Sequence, residues 1–136
     1  MMTRFTAAAT ALALAATPAA AQANIEGHWT NPKRTTLVRV ERCDGKAYCA
    51  VVLKASAKAQ ANARKGGTDP LVGTQLLRRI TPKSEGRWTA QLFVPDINKT
   101  SNVELRQLEL NQLKVTGCAV GRLLCRSQIW VRVESE

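Results

Sequence analysis

The feature that most restricts the fold of this chain is alternation. From residue 25 onward, apolar side chains recur at every second position in one short run after another, the spacing that places them on one face of a pleated strand. In residues 34–42, Thr36, Val38 and Val40 share a face while Thr35, Arg39 and Glu41 share the other, with only Leu37 out of phase. Residues 47–54 continue after an Asp44-Gly45 turn as an apolar, β-branched strand. Trp88, Ala90, Leu92 and Val94 alternate with Thr89, Gln91 and Phe93, and Pro95, which cannot donate to a ladder, ends that run. Near the C-terminus Ile129, Val131 and Val133 alternate with Gln128, Trp130, Arg132 and Glu134. With the three aliphatics pointing inward, Trp130 and Arg132 lie outside or at an end of the fold. Residues 25–30, 73–80, 101–110 and 113–118 bring the expected strands to eight.

Two segments interrupt the pattern. Residues 101–110 are rich in helix formers, but Val103 and Leu105, then Leu108 and Leu110, form two strand-like pairs out of phase by one residue. That is the signature of a strand with a β-bulge near Arg106-Gln107, with a helix as the competing reading, and Asn111-Gln112 follows as a turn. Residues 54–67 carry Ala at alternate positions, no large apolar side chain, four cations and no acid, and end on Gly66-Gly67. They read as a short exposed helix or a loop, a surface lid or arm rather than core. Eight short strands joined by one long connection suit a small antiparallel barrel, which removes exposed sheet edges; a flattened sandwich is the alternative. An eight-stranded barrel is either filled by side chains or holds one small ligand.

The chain has 136 residues. Its first 23 read as a secretory signal peptide: Arg4, an uncharged Ala/Leu run from Thr6 to Ala16, then small residues offering cleavage after Ala21 or Ala23. The run is too short for a membrane span. Residues 24–136 are then expected to form one exported domain, periplasmic or secreted. Lys and Arg number 20 against 10 Asp and Glu, a net charge of +10 that falls to +9 without Arg4. Four cysteines in such a domain point to two disulfides. Of the three connectivities, Cys43–Cys49 and Cys118–Cys125 are favoured because each pair brackets turn residues, Asp44-Gly45 and Gly121; a four-thiolate zinc site is the rival, with wider gaps than usual. Short loops of this kind gain roughly 2 kcal/mol apiece.

Gly27-His28-Trp29 opens the first strand, and Gly-x-Trp there resembles the lipocalin and calycin signature, in which the Trp closes one end of the barrel beneath an Arg from the last strand. The resemblance makes Arg132 the partner of Trp29. A longer series of residues also resembles the family called domain of unknown function 2147. It comprises Gly27-His28-Trp29, Cys43 with Tyr48-Cys49-Ala50, Pro70-Leu71-Val72-Gly73 with Gln75-Leu76-Leu77-Arg78, and Trp88. It continues with Pro95, Lys99-Thr100, Leu113-Lys114-Val115, Gly117-Cys118, and Leu124-Cys125-Arg126-Ser127-Gln128 with Trp130 and Arg132. That resemblance implies a small exported bacterial protein with a lipocalin-like β-barrel and brings no agreed activity. The chain departs from the family in the Ala/Lys/Arg stretch before Thr68-Asp69-Pro70 and in Phe93-Val94-Pro95, so sites built from those loops do not carry over.

Chemistry-bearing residues are sparse. His28 is the single histidine, paired cysteines are not nucleophiles, and Asp96, Glu104 and Glu109 have no spacing that brings two together. Neither an enzyme nor a cofactor or metal is expected. Five aromatics downstream of the leader (Trp29, Tyr48, Trp88, Phe93, Trp130) leave little for base stacking, so nucleic acid is not an expected partner. The expected function is a lipocalin-like binding protein for a small lipid-like or acidic ligand. Val38, Val40, Leu92 and Val131 are the interior candidates, Lys58, Arg64, Lys65, Arg78 and Arg79 form a basic rim, and Trp88 and Phe93 are candidate contacts. The alternative is an envelope interaction module that presents a basic surface to anionic lipid, polymer or a protein partner, with a filled barrel.

Overall fold

The computed structural model describes residues 8–13, 24–119 and 124–134. Most of the expected leader, with both cleavage sites, lies outside the described residues, as does Gly121. Residues 8–13 carry no regular secondary structure, and no described helix is long and apolar enough to cross a membrane.

Alternation becomes eight strands: β1 Gly27–Thr30, β2 Thr36–Asp44, β3 Ala47–Ala55, β4 Gln75–Ser84, β5 Arg87–Val94, β6 Lys99–Glu109, β7 Gln112–Ala119 and β8 Leu124–Val133. Each pairs antiparallel with its neighbour in sequence, and β1 pairs with β8 to close a barrel. Closure gives every strand a neighbour on both sides, which limits the exposed sheet edge that an open meander would carry. The flattened sandwich is therefore excluded. Residues 99–109 resolve to strand, with the register shift between Gln107 and Glu109, and the turn falls on Leu110-Asn111, one residue before the expected Asn111-Gln112.

Val38 and Val40 of β2, Ala50 and Val52 of β3, Leu77 of β4, Ala90 of β5, Val103 and Leu105 of β6 and Leu113 and Val115 of β7 point inward and are buried. On β8 the expected phase is inverted. Ile129 is 41% exposed, Trp130 packs against the core, and Val131 is half-buried on the outer side. The pairs Thr116↔Ser127 and Lys114↔Ile129 fix this phase, because Thr116 and Ser127 meet hydroxyl to hydroxyl on the outside at 2.9 Å.

The arm becomes helix α1, Ala57–Lys65. Ser56 caps it, its Oγ accepting from Ala59 N–H at 3.1 Å, and Gly66 ends it. Of the two surface readings, lid and arm, the helix fits the lid. Ala63 is fully buried and Ala59 packs on the core, so α1 lies across one end of the barrel.

Cys118 and Cys125, directly opposite on β7 and β8, are joined by a disulfide. The expected Cys43–Cys49 bond is not formed: both are free thiols, Cys43 exposed and Cys49 buried. A bulge between Arg42 and Asp44 sets Cys43 out of register, its thiol directed at Ala47 C=O at 3.9 Å. Cys49, paired with Glu41, receives the Gln75 amide at 3.8 Å. Burial and a hydrogen bond with Cys43 push the Cys49 thiol up to about 12.

Candidate functional site: an apolar cavity below a helical lid

The barrel has one sealed end and one covered end. At the sealed end, β1 brings Trp29 inward, where it is buried and its indole N–H donates to Ile25 C=O at 2.8 Å. Arg132, opposite Trp29 on β8, lays its guanidinium over that indole, 4.4 Å from the ring centre. The same guanidinium donates to the carbonyls of Asn24, Glu26 and Leu110, tying the N-terminal segment and the β6–β7 turn across the barrel. Desolvation lowers the Arg132 pKa from its ordinary value. Ile80, Trp88 and Leu105 complete the buried packing.

Above this plug a cavity of about 50 Å³ remains. Trp29 forms its floor; Val38, Val40, Ala50, Leu77, Leu92, Leu113 and Val115 form its wall; Leu76, Gln128 and Trp130 also line it. A water needs about 10–15 Å³ of such space, so the cavity holds about four water-sized groups. Its lining is apolar except for Gln128, the kind of surface that favours a hydrocarbon group over water.

Leu76 and Gln128 also line a second hollow, a groove of about 420 Å³ at the covered end. Lys33 of the β1–β2 loop, Lys58, Ala59 and Asn62 of α1, Leu71, and Pro95 and Asp96 of the β5–β6 turn surround it. Leu76 and Gln128 are thus the wall between the apolar cavity and a polar groove beside the lid. Two contacts set the groove's shape. Asn31 Oδ1 accepts from the Thr35 and Thr36 N–H groups at 2.8 and 3.0 Å, holding the β1–β2 loop tight. Gly66 lies so close to the carbonyls of Pro95 and Asp96 that a Cβ there would overlap both, so the end of α1 is pressed onto the β5–β6 turn.

The residues singled out in the sequence separate around this geometry. Val38, Val40 and Leu92 line the cavity and Val131 does not. Lys58 borders the groove, Arg64 pairs with Asp69 at 3.5 Å, and Lys65 is exposed. Arg78 stands on the outer wall over Phe93, 5.9 Å from its ring centre, and Arg79 borders a different outer groove with Thr81 and Lys83. Trp88 is buried at the sealed end and bounds the hollow beside Asn24 and Ile25. Hence the expected rim does not converge: Arg78, Arg79, Trp88 and Phe93 stand apart from the mouth. Gln128, Trp130 and Lys33 were missed. Trp130 and Gln128 were legible only through the phase of β8, which Arg132 fixes once it is placed over Trp29. Among the described residues no three His, Cys, Asp or Glu side chains gather at one point.

Residues 27–132 match the family described as an uncharacterized protein conserved in bacteria, DUF2147. The chain belongs to DUF2147. The barrel of this DUF2147 member is also similar to a solved structure, protein HP1028 of Helicobacter pylori, which is described as belonging to the lipocalin family. The two share 12% identity with a TM-score of 0.62 over 82% of this chain and 84% of that one. At that identity the likeness speaks for the fold. No curated protein matches the DUF2147 chain.

Proposed function

We propose that this DUF2147 protein is an exported binding protein that takes the apolar end of a small amphipathic molecule into the cavity and leaves its polar end in the groove beside α1. The observation that carries this reading is that the two hollows adjoin, with Leu76 and Gln128 lining both. A lipocalin-like barrel built around an apolar cavity suits binding rather than catalysis, and a disulfide in a small domain suits an oxidising compartment such as the periplasm. The cavity's size limits the buried group to about four carbons. Lys33 and Lys58 at the groove favour an acidic head group.

Indole fluorescence tests it directly, because Trp29 and Trp130 line the cavity. Titration with short-chain carboxylates should shift the emission to the blue and displace a fluorescent fatty acid. The matching alcohols should bind more weakly. Ala50→Leu, which fills the space from the wall, should abolish both signals while leaving the barrel folded by circular dichroism. No displacement by any chain length, with no adduct in native mass spectrometry, would overturn the reading.

A further inference from the structure

We propose that the outer face of β5, β6 and β7 at the sealed end is a docking surface for an anionic lipid bilayer. Register brings Arg87 directly opposite Arg106, and Arg106 directly opposite Lys114. Cross-strand partners of this kind stand about 5 Å apart. Three cations thus form a ladder across three strands, an arrangement that costs stability, since like charges held opposite one another repel. Among the described residues none of the three takes part in an ion pair. Glu104, the next outward position along β6, is bridged to Lys83.

The ladder does not stand alone. Leu108, two residues beyond Arg106, is 40% exposed, and Leu110 at the β6–β7 turn is 66% exposed. Ile129, opposite Lys114 on β8, is 41% exposed. Glu109 lies between the two leucines, leaving three cations against one acid over the ladder and tip. A soluble polyanion would use the cations and have no use for exposed aliphatics. An anionic bilayer uses both: head groups meet the cations, and the tip enters the boundary with the acyl chains. The lid and groove are at the opposite end of the barrel, so a docked molecule keeps its mouth toward water.

The test is co-sedimentation of the processed protein with phosphatidylglycerol/phosphatidylcholine vesicles, with pure phosphatidylcholine vesicles, and with dextran sulfate. Binding should require the anionic lipid and fall with salt. Each basic residue near such a surface is worth about five-fold in binding, so Arg106→Gln with Lys114→Gln should lose roughly twenty-five-fold. Leu108→Ser with Leu110→Ser should weaken binding to vesicles and leave any binding to dextran sulfate unchanged. Lys58→Gln with Lys65→Gln, which removes the same charge from the lid, should lose much less. All four positions tested on this face are exposed or half-buried, and unchanged circular dichroism confirms folding. Equal losses from the lid pair would reduce the effect to net charge and overturn the proposal. So would vesicle binding that ignores the leucines, which would point to a polyanion site, or the absence of vesicle binding.

Discussion

Gly27 has a backbone φ of 128°, and a Cβ there would come within 2.8 Å of Arg132 Nη1. The Gly-x-Trp pair therefore has a physical content: glycine supplies a conformation and a clearance that let one guanidinium cover the indole and reach three carbonyls. Lysine keeps the charge but cannot make that fork. Arg132→Lys should cost about 2 kcal/mol, the worth of a charge-assisted hydrogen bond or so, read as a lower urea midpoint at unchanged slope. An unchanged midpoint would mean that the fork holds nothing. The thiols offer a second residue-scale prediction. The Cys49 pKa rises from its ordinary 9.0 to about 12 in the fold. The native state thus keeps a proton that the unfolded chain gives up, and the associated stability is present below about pH 9 and drains away as pH climbs toward 12. With Cys118–Cys125 left oxidised, iodoacetamide at pH 8 should alkylate Cys43 readily and Cys49 hardly at all, by peptide mass mapping. Cys43 and Cys49 that both become reactive only after reduction would contradict the free thiols.

At the scale of elements, strands were legible and the helix was legible only in outline. Period-two alternation announces β2 and β5 because one face of each is buried and the other wet. It misleads on β8, where aliphatics occupy the outer face and Trp130 with Arg132 the inner one; hydrophobicity alone prefers the wrong phase. In residues 54–67 the alternate alanines look like no pattern at all, yet Ala59 and Ala63 are one helical turn apart and meet the barrel together. Small side chains conceal burial, since alanine gives no sign of which face it lends. The mouth was illegible for a similar reason: it is assembled from loops and elements far apart in sequence. A helix of nine residues has little stability of its own, so α1 depends on its cap and its seat. Ser56→Ala should cost about 1 kcal/mol, felt locally. Amide exchange should quicken through 57–65 with little change in the melting temperature of the barrel. Gly66→Ala, which drives a methyl into the β5–β6 turn, should raise exchange in both segments. Protection that stays as in the parent chain in both variants would mean that α1 is not seated as described.

For the molecule as a whole, the question is what keeps the barrel shut. Its closing seam is short, because β1 has four residues and meets β8 in three pairs, His28↔Val133, Trp29↔Arg132 and Thr30↔Val131. The disulfide lies on the neighbouring β7–β8 hairpin and does not cross that seam. It closes a loop of only seven residues' separation, for which the loss of chain entropy amounts to about 2 kcal/mol. Trp29 is buried at the seam itself, carries the hydrogen bond to Ile25 and supports Arg132. Truncating a buried aromatic costs about 3–5 kcal/mol, a large part of the 5–15 kcal/mol that holds a typical domain. Trp29→Ala should therefore destabilise the protein more than reduction of Cys118–Cys125 does. Near-UV circular dichroism melts of the parent chain with and without a phosphine reductant, beside the oxidised Trp29→Ala chain, give the ranking. The reduced parent should still melt cooperatively at a moderately lower temperature, and the variant should melt lower still or lack a transition. The opposite order would place the closure of this barrel in the covalent clip on β7 and β8 rather than in the indole and guanidinium that join its first strand to its last.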